Sequence, residues 1–415
     1  DGASAQYAGA TATAEGTIRT SGSADIRFGL AAESLAKLRE GLPAIPLQMS
    51  GNYAGNRAKL EVKNLKARVG ESEIAASASM TRTGKRQIEA DVASPVFDLT
   101  PLLAKETKTA KPPPKTAAKK FVFGEEPLPL GMLKGPDSRL HVAIGELKLA
   151  AGALKDLDGT LELGGGQLAL EGRARGGDDG SLSGSVVLAQ QGDGAAGLDL
   201  KLTATGLRAG LGSGSAIQPR ETPPASVEAS LQARGASARQ MAAGASGRFL
   251  VTLGPGKMRN GLVGLIGSGL ISELAGKLNP FAAQDPYTQL DCVVTRADLA
   301  DGHVTVNPIL MQAEKVTVVA AGKVDLHTEA LTLDFNTRPR EGVGISAGMF
   351  TTPFIELEGT LVSPRLGMGA KGATAGVAAA ATGGATLLAQ GALDRWRGAK
   401  DICKQVLTEA GAAPK

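Results

Sequence analysis

The sequence predicts a mainly β fold: a long, twisted antiparallel sheet curled into an elongated, taco-like β-groove, with a few short helices capping or flanking it. Three observations predict this. First, apolar side chains fall at every second position in Arg139-Leu140-His141-Val142-Ala143-Ile144, in Gly197-Leu198-Asp199-Leu200-Lys201-Leu202-Thr203 and in Ala330-Leu331-Thr332-Leu333-Asp334-Phe335-Asn336. Successive side chains of a strand point to opposite faces, so this period makes one apolar face and one wet face. Second, Gly-rich turn signals (Gly164-Gly165-Gly166, Gly176-Gly177-Asp178-Asp179-Gly180, Gly192-Asp193-Gly194) separate the strands at hairpin spacing. Third, few stretches have the helical period that would supply a cover. A sheet with so long an apolar face has to roll around something.

The first segment, 1–103, carries strands with one short helical insert, Ser34-Leu35-Ala36-Lys37-Leu38 ahead of Pro43. Gly51-Asn52 and Gly55-Asn56 are loop signals. Residues 104–120 are a Lys- and Pro-rich linker containing Pro112-Pro113-Pro114; too little of it is apolar to offset its ordering entropy. A solvated tether is the plain reading, and contact with anionic headgroups is the functional one. Residues 121–208 form a second groove segment, a meander with strands at 139–149, 157–163, 167–174, 181–189 and 197–205. Residues 209–225 are a Gly/Pro loop. Residues 226–366 form a third β segment, with strands near 226–234, 246–253, 289–298, 303–308, 316–325, 330–337 and 354–361. Within it 260–279 has helical spacing (Leu262, Leu265, Ile266, Leu270, Leu274, Leu278) and ends at Pro280. Residues 367–415 are an Ala/Gly-rich helical cap. Its uncharged stretch, 372–393, is long enough to span a bilayer but holds too few large apolar residues to drive insertion. The chain opens at Asp1 and soon enters strand-like sequence, which suggests a cut edge with an upstream signal or anchor outside it.

Composition excludes several classes. With 45 basic and 41 acidic residues the net charge is only +4, and no basic stripe with interleaved aromatics offers a stacking platform, so nucleic acid is not an expected partner. Aromatic residues make up 3% of the chain and Gly numbers 56. Aliphatic walls without aromatic anchors suit an aliphatic partner; Gly/Ala-biased coding is the alternative source of the glycines. The scarcity of Tyr and Trp also argues against an outer-membrane barrel, which needs aromatic girdles. Cys292 and Cys403 have no metal spacing; they are candidates for one disulfide, with two separate thiols as the alternative.

No catalytic motif survives inspection. Gly344-Ile345-Ser346-Ala347-Gly348 matches the nucleophile elbow, but His141, His303 and His327 all lie upstream and no helix signal follows. Gly192-Asp193-Gly194-Ala195-Ala196-Gly197 runs into a strand where a dinucleotide site needs a helix. Gly367-Met368-Gly369-Ala370-Lys371-Gly372 lacks a second parallel strand after it. The three histidines, scattered in sequence, suggest no metal cluster. The chain is therefore expected not to be an enzyme and to need no cofactor or metal.

The order of segments resembles the C-terminal part of the AsmA family, TamB-related envelope proteins of Gram-negative bacteria. The resemblance rests on several stretches. Phe97-Asp98-Leu99-Thr100-Pro101-Leu102-Leu103 precedes the linker, and Glu126-Pro127-Leu128-Pro129-Leu130 leads to Ser138-Arg139-Leu140-His141-Val142-Ala143-Ile144-Gly145. The strand, Asp-Gly turn, strand unit appears as Leu290-Asp291-Cys292-Val293-Val294 and Ala300-Asp301-Gly302-His303-Val304-Thr305-Val306. Glu358-Gly359-Thr360-Leu361-Val362-Ser363-Pro364 resembles the closing strand, and a late cysteine, here Cys403, is usual. The family's N-terminal membrane helix and first groove segment are not in this sequence. The resemblance implies a periplasmic bridge-type carrier that moves phospholipid or another acyl lipid between inner and outer membranes and supports outer-membrane biogenesis. It also implies an inner-membrane anchor outside this chain and an outer-membrane or envelope protein partner. The residues expected to line the groove are Leu140, Val142, Ile144, Leu161, Leu163, Leu168, Leu170, Leu198, Leu200, Leu202, Leu331, Leu333 and Phe335. A sandwich core is the competing reading of the same leucines, and a lipid-free scaffold for outer-membrane protein assembly is the competing function.

Overall fold

A computed structural model describes residues 2–7, 9–39, 42–103, 121–149, 152–177, 179–192, 194–208, 219–259, 287–314, 316–339, 355–368 and 402–410. The chain is mainly β, with antiparallel pairing throughout except at one pair, and the helices among these residues are few and short. It divides into two compact units. Residues 1–114 with 129–190 form the first, and 115–128 with 191–415 the second. The division at 190/191 falls within the stretch expected to run as one meander from 121 to 208. The expected helix at 260–279, the 372–393 stretch, the linker and the serine of the elbow motif lie outside the described residues.

In the first unit seven strands follow one another as an antiparallel meander: β1 (Gly2–Tyr7), β2 (Ala10–Ile18), β3 (Ala24–Ala32), β4 (Leu47–Gly55), β5 (Lys59–Val69), β6 (Ser72–Thr81) and β7 (Gln87–Asp98). The helical insert is α1 (Leu35–Leu38), and α2 (Thr100–Leu103) closes the block. Gly51-Asn52 proves to be no loop. It sits inside β4 at a register shift against β5, where a Cβ on Gly51 would lie 2.9 Å from the Phe28 ring and 3.2 Å from Leu65. The glycine makes room for the phenyl group across the strand pair. Gly55-Asn56 is a true turn, with Asn56 Oδ1 accepting the backbone N–H groups of Ala58 and Lys59 at 2.8 and 2.9 Å.

β7 pairs in parallel with β8 (Asp137–Leu149), Val92 beside Val142. A parallel neighbour needs a long crossover, and residues 99–136 supply it. From β8 the meander resumes through β9 (Gly152–Gly164), β10 (Gln167–Gly176) and β11 (Gly180–Gln190). Gly165 and Gly166, at φ 61° and 80°, make the two-residue turn between β9 and β10, a conformation that favours glycine at both positions.

The second unit begins with β12 (Ala196–Leu207), β13 (Ala225–Gly235) and β14 (Ser246–Leu253). A short helix, α3 (Ala238–Ala243), joins β13 to β14 and is capped by the Ser237 hydroxyl, which accepts from the Gln240 N–H. β14 and β15 (Gly256–Arg259) lie end to end along β16 (Tyr287–Ala300). β17 (His303–Ala313), β18 (Val316–Asp325), β19 (Ala330–Pro339), β20 (Ile355–Thr360) and β21 (Pro364–Met368) complete the sheet. β17 does not end at Pro308, as the sequence suggested. It passes the cis Asn307–Pro308 bond with a register shift against both neighbours and continues to Ala313.

Two buried clusters hold this unit, one on each face. Helix α4 (Ile402–Ala410) lays Ile402, Cys403, Val406 and Leu407 on Leu250, Cys292, Val294, Leu310 and Val319. Cys292 and Cys403 are disulfide-bonded, with 6.0 Å between their Cα atoms. On the other face Leu290, Ala313, Val316, Val318, Ala320 and Phe335 pack together. The stretch 121–128 also belongs to this unit: Leu128 N–H donates to Ala236 O, and Arg239 N–H to Gly124 O.

Candidate functional site

In the first unit, cross-strand register carries apolar residues along one face from strand to strand. Leu30 faces Met49, Met49 faces Ala67, and Ala67 faces Ile74. Farther along, Ala90, Leu140, Leu161, Leu170 and Val186 form one row over β7 to β11, and Ser138, Leu163, Leu168 and Leu188 form the next. All seven groove residues expected in this unit, Leu140, Val142, Ile144, Leu161, Leu163, Leu168 and Leu170, therefore share one face. The opposite face is charged. Arg139 pairs with Glu162, and His141 lies 3.6 Å from Asp91 and 3.1 Å from Asp158.

No second protein layer buries this apolar face among the described residues. None of the seven side chains is buried, and Leu170 is 48% exposed. Among the described residues of this unit the buried apolar ones are three alanines and Leu133. Yet the apolar side is the more sheltered one: Ala32 is 4% exposed while Ala31 beside it is exposed, and Ala76 is shielded while Ala75 is exposed. A sheet curling toward its apolar face gives this pattern. At one end the 3-10 turn Leu130–Lys134 folds in, with Leu133 1% exposed and a Cβ on Gly135 only 3.3 Å from Leu163. A right-handed twist also dishes the polar face. An open cavity of about 800 Å³ over β2 to β7 is lined by Thr11, Thr13, Gln48, Lys66, Arg68 and Glu73 of that face, together with Leu30, Met49, Ala67 and Ile74.

One edge of the first unit is basic. The turns 19–23, 56–58 and 82–86 lie side by side at the same strand ends: Arg82 N–H donates to Ala58 O at 2.7 Å, and the Arg57 side chain lies 3.4 Å from a Cβ built on Gly22. Together they present Arg19, Arg57, Arg82, Lys85 and Arg86 and no carboxylate. Lys85 pairs with Asp137 at 2.6 Å. The turns of the opposite edge are mixed in sign, with Glu33 paired to Lys37, Arg39 following in the same connection, and Glu71 in the turn between β5 and β6.

In the second unit the same construction gives a row from Leu200 through Leu231, Gly247, Leu299, Val304 and Val324 to Leu331. Leu198, Leu200 and Leu202 are half-buried and Phe249 is 44% exposed. Leu331 and Phe335 are each 7% exposed, and Leu333 packs against the buried cluster around Phe335. These three share the apolar face, but Leu331 and Phe335 are core side chains there rather than open lining. Alternation assigns a face and says nothing of what lies over it.

The histidines are less scattered than the sequence suggests. His303 sits opposite Asp325 in the β17–β18 pair, and His327 follows in the next turn, so their ligand atoms all lie within 4.8 Å of one another. Strand counting back from the Asp301-Gly302 turn carried that signal. The basic edge was legible in Arg19, Arg57 and Arg82, once their turns are known to alternate along one side. Among the described residues no helix is long and apolar enough to cross a membrane. Compared with models of known families, with curated proteins and with solved structures, the chain gives no match.

Proposed function

We propose that this chain holds the acyl chains of lipids on the apolar face of its strands, and serves as part of a bridge-type carrier of phospholipid in a bacterial envelope. The observation that carries the reading is the continuous apolar face of the first unit, left half-exposed by every described element. A contiguous apolar face that stays partly open to solvent, with Leu170 exposed and the other six lining residues only half-buried, marks an interaction surface rather than a packed core. Over the eleven strands of this unit, at about 4.8 Å each, the face runs roughly 50 Å along the arc of the sheet. Each buried methylene contributes about 0.8 kcal/mol wherever it lies on such a face, so a chain slides along it with little change in free energy. Directional hydrogen bonds to the tails are not needed; continuity of the aliphatic wall is.

The basic turns 19–23, 56–58 and 82–86 stand at one margin of that wall. They suit phosphate headgroups kept in water while the tails lie inward. Native mass spectrometry of gently purified protein tests the reading. Several copies of co-purified phospholipid are expected. A lipid-free chain that takes up no phospholipid from vesicles would favour a scaffold in outer-membrane protein assembly instead.

A further inference from the structure

We propose that His303, Asp325 and His327 form a binding site for a transition-metal dication of the zinc type at one end of the second unit. Two imidazoles and one carboxylate match the ligand set that Zn²⁺ takes when a fourth position is left to water. Hard cations such as Mg²⁺ and Ca²⁺ prefer all-oxygen cages and are not expected here.

Three features of the fold bring the ligands together. Register places His303, the first residue of β17, directly across from Asp325, the last residue of β18, with His303 Nδ1 3.7 Å from Asp325 Oδ1. His327 lies two residues beyond Asp325, and its ring meets that of His303 edge-on, centroids 5.1 Å apart. Asp325 is already oriented, because its Oδ1 accepts the His327 N–H at 2.9 Å and its Oδ2 accepts the Thr328 hydroxyl at 2.8 Å. Such outer partners fix a ligand's direction before the ion arrives. Ligand atoms of a tetrahedral zinc stand roughly 3.3 Å apart, given bonds of about 2.0–2.1 Å. Closing from 4.8 Å needs only side-chain rotation of two exposed imidazoles. Two cations stand near: Arg239, whose guanidinium donates to the His327 carbonyl at 2.8 Å, and Lys323, two residues before Asp325 on the same face of β18.

An ion here would tighten more than the hairpin. The same turn carries Glu329, fully buried, whose carboxylate accepts the N–H groups of Val122 and Phe123 at 2.6 and 2.9 Å. Arg239 stacks over Phe121, 3.4 Å from the ring centroid. Metal binding and the seating of 121–128 therefore share one element.

The test is calorimetric titration of ZnCl₂ into the untagged full chain, with His303→Ala, His327→Ala and Thr328→Ala variants. Melting curves in EDTA confirm that each variant is folded; both histidines are exposed, so little change is expected there. One ion per chain is expected, with a melting temperature that rises on zinc addition and returns on chelation. Each histidine variant should weaken binding by well over tenfold, and Thr328→Ala, which removes an outer partner of Asp325 together with the hydroxyl that accepts the Ala330 N–H, by about tenfold. Absence of zinc uptake by the wild-type chain, or uptake that both histidine variants leave unchanged, would overturn the proposal. Slowed amide exchange at Val122 and Phe123 with zinc present gives a second, independent readout in the folded protein.

Discussion

Cys403 on α4 is bonded to Cys292 on β16 across 111 residues of sequence, and the bond seats Val406, fully buried, over Val294 and Leu310. The part of the second unit's sheet face lying under α4 is therefore a closed core. The face bearing Leu200 and Phe249 is not covered by that helix. One sheet thus has two differently treated sides: α4 covers part of one, while the other is partly open at Leu200 and Phe249 and buried around Phe335.

Loss of the disulfide should destabilise the second unit. A loop this long leaves the unfolded chain much freer when the link is cut, and removing such a bond costs about 2–5 kcal/mol. Urea denaturation of Cys292→Ser/Cys403→Ser against the oxidised wild type should show that loss, and reduction of the wild type should reproduce it.

Charge inserted on the open face and in the core should have opposite consequences. Leu170→Asp places a carboxylate where water already reaches and should cost under about 1 kcal/mol while abolishing lipid uptake. Leu310→Asp puts the same group in a fully buried position and should cost at least about 4 kcal/mol, enough to unfold the unit. Circular dichroism with urea, run beside a vesicle-uptake assay, separates the two effects. A Leu170→Asp chain that unfolds would mean that a hidden layer covers the face.

Neutralising the basic edge should weaken attraction to anionic lipid without touching the fold. Arg19, Arg57 and Arg82 have no ion-pair partner among the described residues, so the triple Gln variant should keep its stability within about 0.5 kcal/mol per site. Near a charged membrane each basic residue contributes about 1 kcal/mol, so flotation with anionic vesicles should fall about a hundredfold, and less at high salt. Binding to neutral vesicles should not change.

Asp98 should make the end of β7 sensitive to acid. The hydroxyl of Thr100 and its backbone N–H both donate to Asp98 Oδ1, holding the carboxyl below its usual range against a smaller opposing effect of burial. A carboxylate whose pKa is lowered by folding stabilises the native state above its unfolded value, near 3.9, and loses that contribution as pH falls through the folded value. Asp98→Ala should therefore cost about 1 kcal/mol at neutral pH, and its stability should converge on that of the wild type in strong acid. Paired urea titrations across that range read the convergence.

Most of the strand pattern was legible because a period of two is written residue by residue. β8 to β14 fall within a few residues of where Leu140, Leu161, Leu170, Leu200 and Val251 place them. Events that depend on a distant neighbour were not legible. Gly51 looks like a loop until Phe28 is set across from it. Pro308 looks like a strand end until the register shifts on both sides of β17 absorb it. The parallel pairing of β7 with β8 joins residues separated by the whole 99–136 crossover. The same limit applies to the site. The face of Phe335 could be read from its neighbours Leu333 and Leu331, but its burial depends on Leu290, Val318 and Ala320. The meeting of His303 with His327 likewise required the exact β17–β18 register.

Site-specific photocrosslinking tests the central claim most directly. A photoreactive residue at position 170, on the apolar face, is expected to capture phospholipid in intact cells, while the same residue at position 171, pointing to the charged face, captures none. Lipid captured at 171 and not at 170, or at neither, would contradict an acyl-binding face built from these leucines.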